Sequence, residues 1–269
     1  MPETFLILLA GGVMLAAAIS DPKQVTLQWL RLVGMIALSM AGLSLFFYFR
    51  SYSQSTLSPA LLRVQVGLLI ATVVAVLAQL AFAQVAWRST QRTAAASAFV
   101  FSVLAGCNLL HEMMAEQGTA VDFPPKMLSM ALQTLSCAGV GATCGLALMD
   151  MLLGHAYLTA SKMTMRPFRR LNLTLAALLA VRGFTAIGLT LALHAWKPVE
   201  MLWGAHGLLM ITRWLVGLVI PAMFIYMAHD CIKRRSTQSA TGILYVAGLL
   251  IFLGEIVALQ LVRATGLPF

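Results

Sequence analysis

Charged residues are scarce in this 269-residue sequence: they form 10% of it, whereas a soluble domain has about 25%. Hydrophobic residues make up 60% of the chain, and the mean hydropathy is +0.89. No internal repeat, low-complexity tail or extramembrane domain is apparent. This composition excludes a soluble globular protein and predicts a single integral-membrane domain over residues 1–269.

Cysteine motifs are also missing. The four cysteines are Cys107, Cys137, Cys144 and Cys231, and they form no CxxC or CxxCH motif and no His/Cys metal spacing. Such spacings hold iron–sulfur clusters, structural zinc or c-type haem. We therefore do not expect the chain to hold these groups by itself, and we interpret the cysteines as small core residues.

The first apolar stretch is not preceded by any Lys or Arg. Its end, Ala16 to Ala18, resembles the region in which a signal peptide is cleaved, but a signal peptide also has a positively charged start. We expect a retained first helix with its N-terminus outside.

What the sequence does contain is a series of long apolar runs. A helix of about twenty residues crosses the roughly 30 Å hydrocarbon core of a bilayer. Because the links are short, we expect an all-α bundle whose successive helices are antiparallel neighbours. The eight predicted spans are 4–20, 31–49, 62–86, 94–114, 126–153, 171–195, 203–228 and 240–262.

The net charge of +9 predicts topology, since Lys and Arg gather in cytoplasmic loops, and we expect no nucleic-acid partner. Ten basic residues follow spans one, three, five and seven, and five lie on the opposite side. Both termini are then outside, in a multi-pass protein that we expect in the bacterial inner (plasma) membrane. The ten are Lys23, Arg88, Arg92, Lys162, Arg166, Arg169, Arg170, Lys233, Arg234 and Arg235, and the five are Arg50, Arg63, Lys126, Lys197 and Arg263.

Span seven carries ionisable residues in an apolar setting. His206 and Arg213 are seven residues apart, close to two helical turns, and so share a predicted face with Gly217 and Pro221. A charged side chain near the middle of a membrane is costly and by default faces protein, a cavity or a ligand. This face is a candidate functional stripe.

Polar residues of the predicted outer half form a first group, which comprises His111, Glu112, His194, His206, Arg213 and Glu255. Imidazoles, a carboxylate and a guanidinium at one depth suit a quinone head group, which needs hydrogen-bond donors and a proton donor or acceptor. In the alternative interpretation, Arg213 and Glu255 neutralise each other and the histidines are interfacial residues.

A second group lies toward the cytoplasm and comprises Asp150, His155, Tyr157, Arg182 and His229. The favoured interpretation is a structural pair between Asp150 and Arg182. The functional alternative is a proton entry path or a second cofactor site. In span five, Gly141 and Gly145 form a small-xxx-small pair that predicts a packing seam, and Gly154 permits a close approach.

The segment RWLVGLVIP from Arg213 to Pro221, followed by Gly254-Glu255 and Arg263, resembles the last two spans of membrane-anchor subunits of the polysulfide-reductase and DMSO-reductase type, the NrfD-like group. The resemblance covers about the last sixty residues. It implies exchange of menaquinone or ubiquinone near the outer face, with an iron–sulfur or cytochrome subunit and a catalytic subunit as partners. It places Arg213, Gly217, Pro221 and Glu255 in the family's pattern.

Two other functions remain open. A b-type cytochrome needs two histidines at one depth to hold haem b, which His206 with His111 or His194, or His155 with His229, would supply. A transporter of ions or small molecules needs a midplane site and often shows paired helix breaks, of which only Pro221 is a candidate. The leading hypothesis is a quinone-interacting subunit in which the outer group surrounds one cavity. Its candidate cofactor-binding residues are His206, Arg213, Glu255, His111, His194 and, from the cytoplasmic group, His155.

Overall fold

A computed structural model describes residues 1–21, 24–51, 59–116, 126–159, 164–194 and 199–265 of the chain. Within these ranges the regular structure is helical. The helices are α1 (Pro2–Ile19), α2 (Leu27–Ser51), α3 (Pro59–Val85), α4 (Arg88–Glu116), α5 (Lys126–Thr159), α6 (Arg166–His194), α7 (Val199–Ile211), a π-helical segment (Thr212–Val219), α8 (Ile220–Lys233) and α9 (Thr237–Thr265).

The described residues contain eight helical spans that are long and apolar enough to cross a bilayer, with α7, the π-helical segment and α8 together supplying the seventh. Each predicted span lies within the corresponding helix or extends past the end of that helix by one residue. The all-α polytopic bundle is therefore confirmed.

The bundle is centred on α1 and α5. Helix α1 packs against α2, α4 and α5, while α5 also packs against α6 and α9. Most successive helices are neighbours, as expected, but α5 packs chiefly on α1 and α9 rather than on α4. The first helix thus belongs to the core, where Ile7, Leu8 and Met14 are fully buried.

Glycines explain how closely α1 and α5 approach. A Cβ atom on Gly12 would lie 1.7 Å from the carbonyl oxygen of Gly141, and one on Gly145 would lie 2.0 Å from the carbonyl carbon of Gly12. Only residues without a side chain allow backbones so near each other. The packing seam predicted for Gly141 and Gly145 is confirmed, and its partner is α1.

Span seven is not the single straight helix that the sequence predicted. His206 has non-helical backbone angles (φ −129°, ψ 18°), and the π-helical turns over Thr212–Val219 follow it. Residues four apart lie close to one face both in an α-helix and in the wider turns of a π-helix. Accordingly Arg213, Gly217 and Pro221 are all buried, whereas His206 is only half-buried.

Candidate functional site

Three charged side chains from three spans meet inside the bundle. The Glu255 carboxylate on α9 is fully buried, and Arg182 on α6 donates to it through Nε (3.3 Å to Oε1) and Nη2 (2.5 Å to Oε2). Arg213, in the π-helical segment, places Nη1 3.1 Å from Oε1 of the same carboxylate. We call Arg182, Arg213 and Glu255 the charge cluster.

The pairing of Arg213 with Glu255, which belonged to the alternative interpretation of the outer group, is confirmed, but the expected pair between Asp150 and Arg182 is wrong. Arg182 was assigned to the cytoplasmic group, yet its guanidinium binds Glu255. Arg182 lies sixteen residues after Arg166, the first residue of α6, which corresponds to about 24 Å along the helix. In the predicted orientation, in which the N-terminal end of α6 faces the cytoplasm, this depth assigns Arg182 to the outer half.

Close helix contacts position the cluster. A Cβ atom on Gly254 would lie 2.1 Å from the Cα of Gly217, so α9 and the π-helical segment touch through their backbones. Glu255 follows Gly254 directly, and Arg213 lies four residues before Gly217. A Cβ atom on Gly139 of α5 would lie 2.7 Å from Cδ of Arg182. Three glycines thus make room for the side chains that meet.

The cluster holds two guanidinium groups and one carboxylate, so its formal charge is positive. The Glu255 carboxylate forms ion pairs with both arginines. Within the described part of the chain, Nε and Nη2 of the Arg213 guanidinium have no hydrogen-bond partner and Nη1 contacts Glu255 in an ion pair, although the side chain is 1% exposed. A buried donor left without an acceptor costs about 1–3 kcal/mol, and more when charged. This cluster therefore attracts acceptors and anions.

A cavity of about 270 Å³ adjoins Arg182. It lies between α5 and α6 and is closed at the back by Leu15 of α1 and Phe99 of α4. Its polar lining groups include Ser136 and Arg182, and Nη1 of Arg182 donates to the Ser136 hydroxyl at 3.5 Å. The rest of the lining is mainly apolar.

The mouth of this cavity is on the bilayer-facing surface. Leu135 and Val181, which line it, are 54% and 52% exposed. In a bundle that spans a membrane, exposed leucine and valine at mid-helix face lipid. The cavity therefore connects the acyl-chain region of the bilayer to the guanidinium of Arg182.

The predicted histidines lie elsewhere. None of the described histidines lines the cavity. His111 and His155 are exposed at the ends of α4 and α5, and His206 is half-buried at the kink of span seven. The His194 side chain lies outside the described residues. Of the six predicted quinone-site residues, the structure brings Arg213 and Glu255 together.

The cytoplasmic group has different contacts. Nδ2 of Asn172 on α6 donates to Oδ2 of Asp150 at 3.1 Å, and Oδ1 of Asn172 lies 3.2 Å from Nδ1 of His229 on α8. Sequence reasoning missed Asn172, although an asparagine in an apolar helix next to the helix that carries Asp150 is the expected signal. His229, proposed as a haem ligand, thus has one ring nitrogen engaged by an amide.

The segment GHAYL, Gly154 to Leu158, anchors the connection between α5 and α6. The Tyr157 hydroxyl donates to the Thr164 carbonyl at 2.5 Å, and its ring stacks on Phe168 with centroids 5.3 Å apart. A Cβ atom on Gly154 would lie 3.0 Å from the Phe168 ring. The close approach predicted at Gly154 is confirmed, and these contacts are structural.

Comparison with family models, with curated proteins and with solved structures found no match. The resemblance of the last two spans to membrane-anchor subunits therefore stays a prediction, and the geometry of the cavity and the charge cluster carries the functional argument.

Proposed function

We propose that this chain is a quinone-interacting membrane subunit of a respiratory electron-transfer complex and that the quinone head group binds in the cavity beside Arg182. One observation carries the proposal: an apolar cavity that opens toward lipid ends on the guanidinium of a buried cluster with more positive than negative charge. Arg182 replaces the histidines as the principal contact, and Glu255, which pairs with both arginines, holds it in place.

The chemistry of the cavity suits a quinone ring. Quinones carry carbonyl acceptors, and guanidinium and hydroxyl groups donate hydrogen bonds. Arg182 of α6 and Ser136 of α5 both line the cavity and are in contact with each other. Because the cluster has excess positive charge, it also stabilises negative charge that develops on a bound acceptor, and it does so in a site of low dielectric.

The size of the cavity suits a head group. Small-molecule pockets measure about 300–1,000 Å³, and the 270 Å³ found here is at the lower end. A ring fits within this volume, while an isoprenoid tail leaves past Leu135 and Val181 into the acyl-chain region. Menaquinone and ubiquinone both consist of such a ring with an isoprenoid tail.

A bound quinone supplies a carrier of two electrons and two protons that exchanges with the membrane pool. The chain's own residues bind and orient the ring: Arg182 donates to an acceptor, and Ser136 fixes the guanidinium from α5. Glu255 keeps Arg182 charged and oriented through two hydrogen bonds. Partner iron–sulfur or cytochrome and catalytic subunits complete the proposed complex.

The test is quinone affinity of the purified chain in lipid nanodiscs, measured by titration with a short-tail quinone. Arg182→Gln removes a charged donor worth about 1.5–3 kcal/mol, which is roughly a tenfold to 150-fold weaker affinity. The matched control is Arg170→Met, at an exposed arginine near the start of the same helix. Equal affinity in the wild type and Arg182→Gln would contradict the proposal.

A steric variant tests the same site without changing charge. Ala138→Phe on α5 fills the cavity, whereas Ala177→Phe adds the same volume on the exposed face of α6. We expect loss of quinone binding in the first variant and retention in the second. Retention in both would move the site away from this cavity.

A further inference from the structure

A second buried polar system, at the cytoplasmic end of the bundle, has no role in quinone binding. It links Asp150 on α5, Asn172 on α6 and His229 on α8 through the amide of Asn172. Asp150 and Asn172 are fully buried, while His229 is half-buried and lies four residues before Lys233, the end of α8. A side chain that reaches the interface is thus connected to a carboxyl group in the core.

The contacts of Asp150 are incomplete for a carboxylate. Oδ2 accepts from Asn172, and Oδ1 has no hydrogen-bond partner among the described residues. Burying an ionised carboxylate without a cation is unfavourable, whereas a carboxylic acid carries its own donor and is buried more readily. The surroundings of Asp150 thus suit a group that binds and releases a proton.

Charged groups lie around His229 and not around Asp150. Among the described residues, the charged neighbours of His229 are Asp230 and Lys233 on α8 itself and Arg169 on α6. No described charged side chain acts on Asp150 from the helices packed against α5, and its polar neighbour is Asn172. The amide is therefore the contact through which the histidine and the acid influence each other.

We propose that Asp150 is a proton-binding site whose occupancy is coupled, through the orientation of the Asn172 amide, to the tautomer of His229 at the cytoplasmic edge. An amide presents a donor on one side and an acceptor on the other, and its two orientations are nearly the same in shape. The ionised carboxylate fits only the orientation that donates to it, whereas the protonated acid adds an O–H donor that fits the reversed orientation.

With Asp150 ionised, the Asn172 NH₂ group donates to the carboxylate and the amide oxygen accepts from Nδ1–H of His229. With a proton taken from water onto Asp150, the new O–H donates to the amide oxygen, so the amide turns. Its NH₂ group then donates to Nδ1 of His229, whose single proton moves to Nε2. One proton is bound in total, at Asp150, and His229 stays neutral.

The experiment uses the full chain in lipid bilayers without quinone, so its result is independent of quinone binding. Infrared difference spectra report the carbonyl band of a protonated carboxylic acid, and ¹⁵N NMR reports the His229 tautomer. Across a pH titration we expect a buried-acid band that is lost in Asp150→Leu, and a His229 tautomer change that has the same midpoint as that band.

Two further variants separate coupling from coincidence. In Asn172→Leu, which has a similar volume and no amide, we expect the acid band to persist while the His229 tautomer no longer follows it. His155→Gln, at an exposed histidine of the same membrane side, is expected to change neither signal. Asp150→Asn gives a second acid-free variant in case the leucine variant fails to fold.

The proposal is overturned if the buried-acid band survives in Asp150→Asn and Asp150→Leu, since another group then carries it. It is also overturned if His229 follows the acid band equally well in Asn172→Leu, since the amide then transmits nothing.

Discussion

The bundle buries polar side chains in two places, and it does so in two different ways. In the charge cluster, full charges from three spans are brought into direct contact, so that a carboxylate offsets two guanidinium groups. In the cytoplasmic system, an amide stands between an acid and an imidazole, and no cation lies beside the acid among the residues that the structure describes. Ion pairs fix one arrangement, whereas an amide bridge accommodates two.

The two regions also differ in what their glycines contact. Around the charge cluster, glycines bring helix backbones into contact, as at Gly217 and Gly254. Near the cytoplasmic end, Gly154 faces the Thr241 hydroxyl and the Phe168 ring, which are side chains. Side chains shift more easily than backbone, so the outer region is expected to be rigid and the inner region more adaptable.

The largest effect is expected from Glu255→Gln. This variant leaves two buried guanidinium groups without an anion, and breaking a buried ion pair in this way costs about 3–5 kcal/mol. Thermal and denaturant unfolding in detergent micelles measure the loss. The double variant Glu255→Gln with Arg182→Gln removes one of the stranded charges and should recover part of it. Unchanged stability in the single variant would show that the charge cluster does not stabilise the outer region.

A substitution at Gly254 should be next in size. In Gly254→Val the new Cβ meets Gly217 Cα at 2.1 Å, and overpacking of this kind costs about 1–3 kcal/mol or more because backbone must move. The matched variant is Gly154→Ala, whose Cβ meets a hydroxyl at 2.8 Å. We expect the first variant to lower the unfolding temperature by clearly more than the second, and an equal loss would remove the contrast in rigidity between the two regions.

A smaller effect is expected from Tyr157→Phe, which tests the cytoplasmic end. The variant keeps the stack on Phe168 and removes the hydrogen bond to the Thr164 carbonyl, a loss of about 0.5–1.5 kcal/mol. Limited proteolysis of the connection between α5 and α6 should become faster while quinone affinity stays the same. A loss of quinone binding would instead join the two regions into one functional unit.

The smallest loss of stability is expected from Arg213→Met. The variant removes a buried cation whose guanidinium contacts Glu255 through Nη1 and has no hydrogen-bond partner at Nε and Nη2 in the described structure, and it leaves Arg182 paired one-to-one with Glu255. Replacing buried charge by a well-packed apolar chain is often neutral or stabilising, by about 1–4 kcal/mol. Unfolding measurements on this variant beside Glu255→Gln give the contrast. A destabilisation as large as that of Glu255→Gln would assign Arg213 a structural role equal to that of the carboxylate.

The spans were predictable because apolar runs of this length are typical of membrane-spanning helices and of few other structures. The partner of Arg182 was less predictable, because the sequence favoured Asp150 on the preceding span, and the contact with Glu255 on a span distant along the chain appears only in the folded arrangement. Pairing of Arg213 with Glu255 was foreseen because both carry full charge in apolar helices.

The cavity and the amide bridge were beyond reach from sequence alone. The cavity depends on how α5 and α6 pack at residues such as Ser136, Gly139 and Val181, which are ordinary in composition. Asn172 becomes visible only when α5, α6 and α8 are placed side by side. Similarly, no pattern in TRWLVGLV predicted π-helical turns, since the wider turns depend on contact with another helix.

Those wide turns make the length of span seven critical. An α-helix turns by about 100° per residue and a π-helix by somewhat less, so a one-residue deletion within Thr212–Val219 that kept the pitch of the remaining turns would rotate the two ends of span seven against each other by nearly that angle. Arg213 would then swing away from Glu255 toward lipid, although no charged residue had been altered. In this span, the number of residues specifies the electrostatics as firmly as their identity does.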